Sequence, residues 1–133
     1  MIVGLGNDLA NIKRIEATLE RFGERFVRRL LSEEEQQEIR RREKISFREY
    51  ACAVAKRFAA KEACSKALGT GIRQGTFWRD MQLLHQPGGK PELKLSGGAL
   101  RHLQRLCPGK ANLVLTLTDD YPWAQAVVII ESL

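Results

Sequence analysis

The stretch RFAAKEACSKALGTGI, Arg57 to Ile72, and an aspartate near the N-terminus hold the residue types that could manage a phosphate. Glu62 and Lys66 are four apart, which makes them neighbours on one face of a helix, with Lys61 adjacent. Glu preceding Lys at that spacing also suits a plain exposed ion pair of about 0.2–0.5 kcal/mol, and most such pairs do nothing else. Asp8 by itself serves equally well as a turn or helix-capping residue. The chemistry changes if the two carboxylates meet. Mg²⁺ is usually held by one or two protein carboxylates, with waters and substrate phosphate oxygens completing its octahedron, and Mn²⁺ takes the same oxygen donors. Asp8 and Glu62 brought together from separate elements, with Lys66 one turn away, would suit a metal-bound pyrophosphate.

The GTG after this segment is not a Walker A loop, because it trails a helix and no Lys-Ser or Lys-Thr follows it. Gly69 is expected to end the helix, while Thr70 and Gly71 could offer backbone and hydroxyl donors to a phosphate passing close by. A second charged pattern lies upstream. Arg14, Arg21, Arg25 and Arg28 fall in register on one helix as a basic stripe. The stripe reads as a solvated surface, or as a docking face for an acidic helix or a phosphate backbone. Trp78 and Trp123 lie far from it, so the aromatic interleaving that stacks single-stranded bases is missing. His85 and His102 have no Ser or Cys partner at a suggestive spacing, which leaves a nucleophilic triad without support.

These groups need elements to hold them. Ile2 to Leu5 is an apolar run expected to form a strand that ends near Asn7 and Asp8. From Asn11, a plausible N-cap, Ile12, Ile15, Leu19, Phe22, Phe26 and Leu30 recur at threes and fours, which predicts one amphipathic helix. Ser32-Glu33-Glu34-Glu35 resembles a capping box opening a charged helix to about Arg42. Phe47 to Leu68, rich in alanine and closed by Gly69, is the expected core helix. Asp80 to His85 and Glu92 to Leu95 flank QPGGKP and should form a hairpin. A short helix, Ala99 to Leu106, and two strands, Asn112 to Thr118 and Ala124 to Ile130, complete the chain. This order gives an α+β fold, a single domain over residues 1–133 with a long core helix packed on a largely antiparallel sheet. If the N-terminal strand lies beside the C-terminal pair, Asp8 comes near the end of the long helix.

Composition agrees with one globular unit. The chain has 133 residues, 44% hydrophobic and 29% charged, which excludes disorder and leaves room for one core. No run approaches a membrane span and no secretory leader opens the chain, so a cytoplasmic protein without a membrane role is expected. Cys52, Cys64 and Cys107 are odd in number and fit no metal spacing, as expected of reduced, buried thiols. A formal net charge of +6 favours an acidic partner.

Taken together, GLGNDLANIKRI and RFAAKEACSKALGTGI resemble the two signature regions of the holo-acyl-carrier-protein synthases, the small phosphopantetheinyl transferases. The likeness continues through GGKPELKLSG to the final VVIIES. It implies transfer of phosphopantetheine from coenzyme A to a serine of acyl carrier protein, with release of adenosine 3',5'-bisphosphate, in support of fatty acid synthesis. By motif, Asp8 and Glu62 match the Mg²⁺ ligands, Lys66 the lysine near the scissile phosphate, and Gly69, Thr70 and Gly71 the adjoining loop. Lys61 and Arg57 lie close enough in sequence to touch the nucleotide. Arg14, Arg21, Arg25 and Arg28, with Phe22 and Phe26, resemble the surface that docks the acidic carrier, which makes nucleic acid the lesser alternative. A noncatalytic scaffold of the same fold is the other. The family also implies a homotrimer with active sites between protomers. One departure stands out: many relatives carry a histidine after the penultimate strand, where this chain reads TLTDDYPW, and Asp119 cannot replace a cation.

Overall fold

A computed structural model describes residues 1–73 and 75–133. Five strands and five helices follow the order β1 (Ile2–Asn11), α1 (Ile12–Phe22), α2 (Glu24–Leu30), α3 (Glu33–Glu43), α4 (Phe47–Leu68), β2 (Met81–His85), β3 (Pro91–Leu95), α5 (Gly97–Leu106), β4 (Ala111–Asp120) and β5 (Trp123–Ser132). A single 3-10 turn, Trp78–Asp80, precedes β2. The α+β class holds, with the strands divided between a sheet of order β1-β5-β4 and the separate β2-β3 hairpin, all antiparallel.

Helix α4 is the axis of the molecule. Alanines recur along its 22 residues, and it is buried on most sides, which only small side chains permit when helices and a sheet approach together. Ser46 caps its first turn by accepting the N–H of Glu49, and Gly69 ends it at φ +83°, where a Cβ would be strained. Around its N-terminal half, α1, α2 and α3 contribute Ile12, Leu19, Leu30 and Ile39 to one part of the core. Around its C-terminal half lie Ala126, Val128 and Ile130 of β5, Met81 and Leu83 of β2, and Leu103 of α5.

Two expectations change. The first helix is broken at Gly23, which adopts φ +53° and lets α2 turn against the core while the apolar spacing continues unbroken. The first strand runs to Asn11, so Asp8 is not past its end but inside it, opposite Ala126 of β5. The capping box is present: Ser32 accepts from the Glu35 N–H, and the Glu35 carboxylate from the Ser32 N–H. No helix of the described residues is long and apolar enough to cross a membrane.

Candidate active site

Strand β1 crosses α4 with its backbone against the helix. A Cβ on Gly6 would overlap the carbonyl oxygen of Ala63, and one on Gly4 would overlap that of Ala67, so glycines face alanines at the crossing. Gly4, Gly6 and Asp8 alternate onto the same face of the strand. The two glycines therefore bring the helix close, and the next inward residue meets its polar rim.

Three charges converge there. Lys66 Nζ donates to Asp8 Oδ1 at 3.0 Å and to the carbonyl oxygen of Asn7 at 3.0 Å, joining helix to strand. Glu62, one turn earlier on α4, accepts a hydrogen bond at Oε1 from the indole Nε1 of Trp78, 3.1 Å away. Burial pushes the Glu62 carboxyl above the usual range; the Trp78 hydrogen bond opposes this, the Asp8 charge adds to it and Lys66 opposes it. Among the described residues no group of three or more His, Cys, Asp or Glu is placed to hold a metal ion by itself. A site of two carboxylates fits an ion that takes most of its oxygens from substrate and water, and fits Mg²⁺ or Mn²⁺ better than an ion that needs a full protein cage.

Two expected phosphate contacts are turned inward. Lys61 is fully buried, and its Nζ donates to Leu30 O at 2.6 Å, Glu35 Oε1 at 2.6 Å and Trp78 O at 3.0 Å, which uses all three of its protons. It therefore has no donor for a nucleotide in this arrangement. Arg57, also buried, bonds Glu38 Oε1 through one guanidinium nitrogen at 3.1 Å, with Nε 3.8 Å from Glu35 Oε2. It lines a cleft of about 750 Å³ between α3, α4 and the hairpin, beside Arg42, Lys56 and His85. Glu62 is five positions further, about 140° around the helix axis, so Arg57 does not share a face with it.

The loop after α4 also spends its donors internally. Gly69 N–H reaches Lys66 O at 3.0 Å, while Thr70 and Gly71 N–H groups reach Ser65 O at 3.1 and 3.2 Å. The Thr70 hydroxyl donates to Gly71 O at 2.8 Å. These residues terminate the helix in place of forming a phosphate nest. By contrast Arg14, Arg21, Arg25 and Arg28 are exposed along α1 and α2, with Phe22 exposed and Phe26 half-buried. Asp119 lies inside β4, not after it, and pairs with Lys56 at 3.1 Å.

Sequence reading missed Trp78 as the partner of Glu62 and Glu35 as the partner of Lys61. Glu35 is wholly buried and accepts from Ser32 N, Leu83 N and Lys61 Nζ, binding α3, the hairpin and α4 together. The capping-box spacing marked Glu35 as a helix start, and nothing in the sequence reported its long-range partners. Trp78 opens a three-residue 3-10 turn, too short for a periodicity that would aim it.

The family model of the 4'-phosphopantetheinyl transferase superfamily matches residues 4–126. The chain belongs to this superfamily. A curated relative from Brucella ovis, named holo-[acyl-carrier-protein] synthase, is 54% identical over 100% of this chain and 97% of its own length. Among solved structures, the holo-[acyl-carrier-protein] synthase of Neisseria meningitidis is 35% identical with TM-score 0.83, covering 99% of this chain and 100% of that one. The Bacillus anthracis synthase, solved in complex with CoA (3',5'-ADP), is 32% identical with TM-score 0.80, covering 100% and 99%. Membership makes the chain a phosphopantetheinyl transferase.

Proposed function

We propose that this protein is a holo-acyl-carrier-protein synthase of the cytoplasm: it transfers phosphopantetheine from coenzyme A to a serine hydroxyl of apo acyl carrier protein, requires Mg²⁺, and supports fatty acid synthesis. The observation that carries the proposal is the meeting of Asp8, Glu62 and Lys66 where β1 crosses α4. Asp8 and Glu62 would hold the metal, which when bound supplies positive charge to the pyrophosphate oxygens. The serine oxygen attacks the β-phosphorus in line, and the bond from that phosphorus to the bridging oxygen breaks, releasing adenosine 3',5'-bisphosphate. The serine proton needs an acceptor. Glu62, with its carboxyl raised by burial, is one candidate, and a water at the metal site is the other. Lys66 places an ammonium beside Asp8, where it can neutralise charge on the phosphoryl oxygens as the bond breaks.

The exposed arginines of α1 and α2 fit an acidic carrier. The break at Gly23 divides the expected stripe between two helices, Arg14 and Arg21 on α1 and Arg25 and Arg28 on α2, and all four exposed guanidinium groups, with the exposed Phe22, offer steering charge and an apolar contact. Homotrimer formation, with sites shared between protomers, is supported by the large apolar side chains Leu5, Leu9 and Val114 left exposed on the outer sheet face of the single chain.

The deciding experiment is intact-mass spectrometry of apo carrier protein incubated with this protein, coenzyme A and Mg²⁺. A phosphopantetheine-sized gain is expected, absent with EDTA and reduced at least about 100-fold in rate by Asp8→Ala. Carrier binding without any mass gain would instead make the chain a noncatalytic scaffold. Full turnover by Asp8→Ala would remove the proposed metal site.

A further inference from the structure

We propose that Trp78 is a positioning residue for the transfer, its indole N–H fixing the Glu62 carboxylate in a working orientation. The proposal rests on the site reading above and adds a residue to it. Its basis is that the donor is held from several directions.

The indole Nε1 lies 3.1 Å from Glu62 Oε1. On the ring side, Phe58 of α4 meets Trp78 with centroids 6.0 Å apart and planes tilted by 45°. Behind it, the Trp78 carbonyl accepts from Lys61 Nζ at 3.0 Å, and that ammonium is itself bonded to Glu35 and to Leu30 O. The 3-10 turn is tied at its far end as well, where Asp80 O accepts from Ser96 N at 2.8 Å. Backbone and ring are thus anchored to α4 and to the buried ion pair before the N–H reaches its acceptor. The otherwise unexplained burial of Lys61 acquires a purpose: it holds the residue that holds its own neighbour in sequence.

The carboxylate needs such a constraint. Glu62 feels attraction to Lys66 one turn away and repulsion from Asp8. Left alone, a long side chain between those charges can swing toward the ammonium and leave the site. The indole N–H engages Oε1 and leaves the second oxygen for a metal or for the serine proton. A phenylalanine at position 78 would fill nearly the same space against Phe58 and donate nothing. Partners that orient a ligand in this way are commonly worth about 10-fold to 100-fold in metal affinity or activity.

The test combines turnover with a readout on the resting protein. Trp78→Phe should lower kcat by about 10-fold or more and raise the Mg²⁺ concentration for half-maximal activity, with KM for the carrier unchanged. The chain has two tryptophans, so its ¹H–¹⁵N spectrum has two indole signals, and Trp78→Phe identifies one of them. In metal-free protein, Glu62→Ala should move the Trp78 indole signal and leave that of Trp123 in place. An indole signal indifferent to Glu62→Ala would overturn the proposal, as would Trp78→Phe with unaltered kcat and Mg²⁺ dependence. If Trp78→Phe fails to fold, Trp123→Phe makes the assignment instead and the Glu62→Ala measurement decides. The spectra need no turnover, so failure of wild-type protein to modify any carrier would count against the proposed function without touching this coupling.

Discussion

Lys61 and Glu62 are adjacent in sequence and about 100° apart around α4, and that rotation separates their fates. Glu62 reaches the rim beside Asp8, whereas Lys61 enters the core and meets Glu35. Burial draws the Lys61 ammonium below its usual range, with Arg57 and Arg79 adding to this, and Glu35 opposes it by both charge and hydrogen bond. With an ion pair so enclosed, removing Lys61 leaves Glu35 charged with only two backbone N–H groups and the more distant Arg57 to meet it, and breaking such a pair typically costs about 3–5 kcal/mol. Lys61→Ala should destabilise the protein by that amount in urea or thermal unfolding. Lys61→Met combined with Glu35→Gln should recover part of the loss, because the lone carboxylate is gone, while Arg57 keeps only Glu38 as its ion-pair partner and the Leu30 and Trp78 carbonyls lose their donor. A folded Lys61→Ala protein of normal stability, with a greatly raised KM for coenzyme A, would show that the lysine serves the nucleotide after all. The sequence could not separate these roles. A lysine within KEACSK carries the same local pattern whether it faces water or Glu35, whose position 26 residues earlier depends on how α3 docks.

Among the elements, α4 was legible because both its ends and its composition agreed: alanine throughout, and Gly69 at the stop. The break between α1 and α2 was not, since Gly23 falls on a spacing that keeps Phe22 and Phe26 in phase. The extent of β1 was hidden for another reason. Asn7 and Asp8 interrupt the apolar run, yet pairing to β5 continues through them because backbone groups alone make the ladder. The glycines of GLGND explain why Asp8 reaches α4. Their role, too, is one of packing: Gly6 lies over the Ala63 carbonyl with no room for a methyl group. Gly6→Ala should therefore push strand from helix and destabilise the fold by about 3 kcal/mol or more, as severe overpacking does. In any folded fraction, widening the crossing should also loosen the Lys66–Asp8 contact and weaken metal-dependent turnover. Unfolding curves within about 0.5 kcal/mol of wild type would show that the crossing tolerates a methyl group.

At the scale of the whole molecule, the β1-β5-β4 sheet covers α4 with one face and leaves the other open. On that outer face, register places Leu5 of β1 opposite Ile129 of β5, and Val114 of β4 opposite the same Ile129. Leu5 is 65% exposed, Leu9 56% and Val114 44%, and Trp123 adds an exposed indole at the end of β5. Asn7, Gln125, Thr116 and Thr118 share this face, and a sheet face open to water ordinarily carries such polar residues throughout, so the exposed Leu5, Leu9 and Val114 among them mark a surface that something else covers. Other copies of this chain are the proposed cover. Light scattering with size-exclusion chromatography should find wild type as a trimer. Leu5→Glu with Val114→Glu should give a folded monomer, because both substitutions lie on the outer face and leave α4's side of the sheet intact. If the active site draws residues from two protomers, that monomer should lose most of its transfer activity while retaining the Trp78 indole signal of the assembled enzyme, since the Glu62–Trp78 contact lies within one chain. Wild-type protein that runs as a monomer would remove the proposed assembly. A dissociated variant with full turnover would place the whole site in one chain and leave the sheet face with a purely structural role.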